Sequence, residues 1–116
     1  MGEIRVKRVY DPPSPEDGER ILIDGIWPRG IGKAQLNGRW LRELAPSAEL
    51  RRFFNHRPER FAAFRDRYRA ELAQKEELLA ELRALARKTN LTLLYAARDR
   101  QHNNAVVLAE LLSEGG

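Results

Sequence analysis

The stretch that most confines this chain is Leu91-Thr92-Leu93-Leu94-Tyr95-Ala96-Ala97, a run of seven residues without a charge. Its near-continuous apolarity, with no polar residue on alternate positions, fits a strand covered on both faces by helices. Such a strand needs parallel neighbours, and parallel neighbours need long crossovers to return the chain. The reading that follows is an α/β domain.

Two further segments supply the neighbours. Ile4 to Tyr10 alternates, with Ile4, Val6 and Arg8 on one face and Arg5, Lys7 and Val9 on the other, which is strand periodicity. Arg20-Ile21-Leu22-Ile23-Asp24 is a compact apolar run, and Gly25, Pro28 and Gly30 punctuate what comes after it. Between these strands, Asp11 to Gly18 carries Pro12, Pro13 and Pro15 and reads as a surface loop. Gly30-Ile31-Gly32-Lys33 reads as a flexible glycine-rich turn.

The remainder is helical in pattern. Asn37 to Leu44 is expected to form a short helix with Trp40 and Leu44 on one face, ended by Pro46. Ser47 is placed to cap a helix beginning at Ala48, with Glu49 at its positive end. From Pro58 onward Phe61, Phe64, Tyr68, Leu72, Leu79, Leu82 and Ala86 repeat at helical spacing. An unbroken helix from Glu59 to Arg87 would span about 43 Å at ~1.5 Å per residue, more than the roughly 27 Å of so small a domain. A break is therefore expected near Gln74-Lys75-Glu76; the alternative is a protruding arm through which two copies pair, with Lys75 setting register. Asn90 is expected to end this helix in a left-handed conformation. Arg98 to His102 reads as a polar turn, and Asn103 or Asn104 as the cap of a last helix.

These elements define one domain over residues 1–116, a small three-layer α/β unit with a short, mostly parallel sheet flanked by helices. Apolar residues are 42% of the chain and charged residues 33%, a globular composition. No apolar run reaches the roughly 20 residues of a membrane span, and the charged, alternating start is no secretory signal, so a cytoplasmic protein is expected. With no cysteine, disulfides, thiolate chemistry and cysteine-held zinc are excluded. No metal or cofactor is assigned, since two-histidine helical spacing, phosphate-loop and nucleophile-elbow motifs are all missing from the sequence.

The net charge is +4, and 17 of the 21 basic residues are arginine, whose planar fork matches carboxylate and phosphate oxygens in pairs. From Arg57 to Arg69 the arginines alternate with Glu59 and Asp66, which favours a solvated helix face over a nucleic-acid footprint.

The ordered series Val9-Tyr10-Asp11, Ile23-Asp24-Gly25-Ile26-Trp27-Pro28-Arg29-Gly30, Trp40 to Ser47, Leu50-Arg51, His56, Phe64, Tyr68, Glu71-Leu72 and Leu93 to Asp99 with Asn103 resembles the YeaO-like family, a bacterial domain of unknown function. The resemblance spans nearly the whole chain and implies an α/β fold and a shared polar site, with no reaction to transfer. Gly25 departs from it: arginine commonly follows the strand-two aspartate in that family.

Both polar clusters follow strand ends, where open α/β sheets bind ligands. Arg29 and Arg98 are read as neutralising a small anionic ligand bearing phosphate, carboxylate or a nucleotide, with Tyr10, Asp11, Trp27 and Asn103 completing the pocket. Asp24 and Asp99 are the candidates for orienting the ligand or acting as general base. The structural alternative has those aspartates paired with the two arginines merely to fix the turns. Trp27 and Trp40 also read as core or lid packing. His56 and His102 read as helix-end and solvated histidines ahead of acid–base groups. A nucleic-acid-binding or regulatory module and a homodimeric scaffold are the competing functions.

Overall fold

The computed structural model describes residues 2–114. The apolar run forms β4 (Leu91–Tyr95), buried along its whole length and paired on both sides. β1 (Ile4–Arg8) runs parallel to it, with Ile4 opposite Leu91 and Arg8 opposite Tyr95. β2 (Glu19–Leu22) runs parallel on the other side, with Glu19 opposite Leu91 and Leu22 opposite Leu94. The two-residue β3 (Arg39–Trp40) extends the sheet beyond β2, giving the order β1-β4-β2-β3 with every pair parallel. Among the described residues no helix is long and apolar enough to cross a membrane.

The two-residue period of the strands separates two cores. Ile21, Ile23, Leu91, Leu93 and Tyr95 face the larger one, where they meet α2 (Ala48–Phe54), α3 (Phe61–Leu72), α4 (Glu76–Lys88) and α5 (Asn104–Glu114). Leu22 and Leu94 point the other way, against Val9, Ile31 and Leu36, under the one-turn α1 (Lys33–Leu36) and the loops beside it. Among the described residues the layers are unequal, with four helices on one face and loops plus a single helical turn on the other.

The expected helix break is real: α3 ends at Leu72 and α4 starts at Glu76. Leu79, Leu82 and Ala86 then bury their stripe inside the same chain rather than along a protruding arm. Ser47 caps α2, its Oγ accepting from the Leu50 amide at 3.1 Å. Tyr68, fully buried, donates from its hydroxyl to the Leu44 carbonyl at 2.5 Å, joining α3 to the turn before α2. Tyr68→Phe is expected to cost about 1–3 kcal/mol in urea unfolding, because the carbonyl loses that buried partner.

Three expectations are corrected. Residues Asn37 to Leu44 do not form a helix: α1 ends at Leu36, its cap Asn37 takes the left-handed conformation (φ 47°), and the chain then lies against β2 as β3 before a 3₁₀ turn over Arg42–Leu44. Gly38 permits this approach, since a Cβ there would stand 2.3 Å from the Arg20 carbonyl oxygen. Trp40 and Leu44 consequently pack on opposite faces of the sheet. The Gly30–Lys33 turn is anchored rather than loose, with Ile31 buried and its carbonyl accepting from the Trp27 indole at 2.6 Å. Asn90 is not left-handed. Its side chain instead accepts from the Glu3 amide at 2.9 Å and donates to the Glu16 carbonyl at 2.7 Å, tying strand starts together.

The proline-rich segment is the surface loop expected of it, with one buried exception. It returns the chain from β1 to β2 with no helix except a 3₁₀ turn over Pro15–Asp17, and Asp17 at its end is 1% exposed. The Asp17 carboxylate accepts from Lys7 on β1 at 2.9 Å, from the Ser14 amide at 3.0 Å, and from Arg20 on β2, itself 2% exposed. Its carbonyl accepts from Thr92 on β4 at 2.7 Å. One residue thus fastens three strands on the face that has few helices. Burial alone would raise its pKa, but Lys7, the Ser14 amide and Arg20 together hold it below the usual aspartate value.

Candidate functional site

β2 and β4 are neighbours, yet the chain leaves their carboxyl ends toward opposite faces: from β2 toward α1 and from β4 toward α5. A crevice opens where such strands part. Here it is a cleft of about 860 Å³ lined by residues 24–29 after β2, by 96–99 and 102–104 after β4, by Tyr10, and by Pro46, Arg51, Phe54, His56 and Phe64 from the helical side.

Asp24 stitches the two loops. One carboxylate oxygen accepts from the Ala96 amide at 2.9 Å and the other from the Asn104 side chain at 3.0 Å, which also donates to the Ile23 carbonyl at 3.1 Å. Burial raises the Asp24 pKa, against the opposing effect of these hydrogen bonds and of the nearby Arg51 charge. Asp99 is likewise engaged, accepting from the Gln101 and His102 amides at 2.9 and 3.0 Å and lying 2.9 Å from His102 Nδ1. Those amides, with the His102 side chain, lower its pKa. Neither aspartate pairs with Arg29 or Arg98.

Of the residues proposed from sequence, Tyr10, Asp24, Trp27, Arg29, Arg98, Asp99 and Asn103 all line this cleft. Asp11 does not: Arg100 grips it with two hydrogen bonds of 3.0 Å, which is the main reason its pKa is lowered. Tyr10 spends its hydroxyl on the Arg29 carbonyl at 2.9 Å, holding the Trp27–Arg29 loop over the sheet edge. Asn103 is buried and caps α5, accepting from the Val106 amide at 3.0 Å and donating to the Asp99 carbonyl. Trp27 packs edge-on to Trp40, ring centres 5.4 Å apart.

The three arginines differ from the aspartates. Arg29 and Arg98 are exposed, and among the described residues their guanidinium groups meet no carboxylate and no hydrogen-bond acceptor. Arg51, on α2, has a buried Nε with no partner. Its guanidinium lies over the backbone of Gly25: a Cβ on that residue would stand 3.1 Å from Cζ. Gly25 is therefore the surface on which Arg51 rests.

Sequence reasoning missed Arg51, Phe54, Phe64 and Pro46. Arg51 and Phe54 sit three apart on α2 and so share a face, which was the available signal. Nothing in the sequence indicated that α2 lies over the ends of β2 and β4. His56 was noticed, but not its conformation: Asn55 and His56 are both left-handed (φ 47° and 55°), and they bring the imidazole to the rim.

Fold and cleft together define a small parallel α/β domain with a cationic crevice at its strand ends. The chain belongs to the YeaO-like DUF488 family, residues 3–115 matching the model described as the inactive DUF488-N3 subclade. It is 48% identical over 110 residues to the uncharacterized protein YeaO of Escherichia coli K12, covering 94% of this chain and 96% of that one. It is 46% identical over 111 residues to the uncharacterized protein Rv3073c of Mycobacterium tuberculosis H37Rv, covering 95% and 93%. No solved structure gives a significant match.

Proposed function

We propose that the cleft binds a small anionic ligand, bearing phosphate, carboxylate or a nucleotide, and holds it without turnover. The observation that carries this reading is the contrast in its lining: three arginines without a carboxylate partner beside two aspartates committed to backbone amides and neighbouring side chains. A buried donor left unpaired calls for a partner, and a guanidinium's natural partner is an oxyanion. Each aspartate's hydrogen bonds fix its own loop, which accounts for both carboxylates structurally. The word "inactive" in the family's description supports binding over catalysis.

The nucleic-acid reading has less to stand on. Arg65 and Arg69 pair with Glu110 and Glu114 on α5, while Arg60 and Arg67 cover the Phe53 ring. The homodimer reading lacks its unbroken helix.

Thermal unfolding against a panel of sugar phosphates, nucleoside monophosphates, aryl phosphates and carboxylates checks the proposal. At least one is expected to raise the melting temperature, and the double variant Arg29→Ala/Arg98→Ala is expected to fold normally and lose most of that rise. A panel without effect, or a double variant with the full response, refutes it.

A further inference from the structure

The cleft is far larger than a bare phosphate or acetate requires; its 860 Å³ lies within the roughly 300–1,000 Å³ of sites that enclose drug-sized molecules. The ligand therefore has a body as well as a charge, and the walls describe that body. Phe54 and Phe64 stack at 4.5 Å on the helical side, and Trp27 stands on the loop after β2 with its indole N–H already given to Ile31.

A separate observation points the same way. The large hydrophobics left exposed among the described residues are Tyr10, at 40%, and Ile26, at 68%, and both line this cleft. Together they add apolar surface to the rim of the cleft. Arg51 lies one helical turn before Phe54 and so brings a cation to the aromatic wall.

We infer that the ligand is an aromatic anion: a flat ring system lodged among Trp27, Phe54 and the rim residues Tyr10 and Ile26, with its phosphate or carboxylate held by Arg51 together with Arg29 and Arg98. This rests on the anion-binding reading and adds the requirement for a ring, since aromatic pairs contribute beyond the area they bury.

Calorimetric titration with 1-naphthyl phosphate, 1-naphthoate, inorganic phosphate and 1-naphthylmethanol separates the two ideas, with the Trp27 indole N–H resonance reporting where binding occurs. One or both naphthyl anions are expected to bind about ten-fold or more tighter than inorganic phosphate and than the neutral alcohol, and to shift that resonance. The tighter of the two identifies the head group. Trp27→Ala is expected to weaken the naphthyl anions about ten-fold while leaving inorganic phosphate within about two-fold, and Trp27→Phe to retain most of the affinity. Inorganic phosphate binding as tightly as the aryl anions overturns the aromatic requirement and leaves the anion site standing. The neutral alcohol binding as tightly overturns the anion reading and this proposal with it. No binding by any of the four overturns both.

Discussion

Asp17→Ala is expected to lower the unfolding free energy by about 3–5 kcal/mol, the usual cost of stranding a buried charge. The variant leaves Arg20, 2% exposed, without its carboxylate and takes an ion-pair partner from Lys7. Against the ~6–17 kcal/mol that a chain of this length commands, such a loss leaves a marginal protein. Urea unfolding measures it. The double variant Asp17→Ala/Arg20→Met removes both charges and should be more stable than the single variant; if it is not, the stranded charge is not the cause. The pH dependence follows from the same site. A carboxylate whose native pKa lies below its unfolded value of about 3.9 stabilises fully above that value and loses its contribution as the pH falls through the native one. Wild-type stability should fall accordingly below about pH 4, and the double variant should lack that part of the fall.

The second large effect is on binding. Arg51→Ala is expected to weaken an anionic ligand such as 1-naphthyl phosphate by about thirty-fold or more, the loss typical when one member of a buried charge-assisted pair is truncated. Stability should barely change, since Arg51 has no ion-pair partner among the described residues and its Nε meets none. Gly25→Ala tests the seat of that side chain. Its backbone is outside the left-handed region, so alanine is tolerated and can add up to about 1 kcal/mol by restricting the unfolded chain. The new methyl would meet the guanidinium at 3.1 to 3.3 Å, however, and must push it aside. Unaltered affinity in both variants, measured by calorimetry, would remove Arg51 from the site.

β1, β2 and β4, the break between α3 and α4 and the capping roles of Ser47 and Asn103 were legible because each depends on local periodicity or local side-chain chemistry. The clustering of both loops was legible too, since parallel strands point their carboxyl ends the same way. What escaped depends on long-range contact. β3 is two residues long and exists because Gly38 admits a neighbouring backbone. Asp17 looked like a loop residue because its partners Lys7, Arg20 and Thr92 are spread over β1, β2 and β4. Arg51 belongs to the cleft only because α2 packs over the ends of β2 and β4, a fact of helix placement that no window of sequence contains.

The strand order also sets a timetable for synthesis. β1 and β2 are never partners; each waits for β4, which is made after both and slots between them. A nascent chain ending before residue 91 lacks the strand with which both β1 and β2 pair. Folding on the ribosome is consequently expected to wait until β4 has emerged, leaving Ile21, Leu22 and Ile23, buried in the finished fold, uncovered until then.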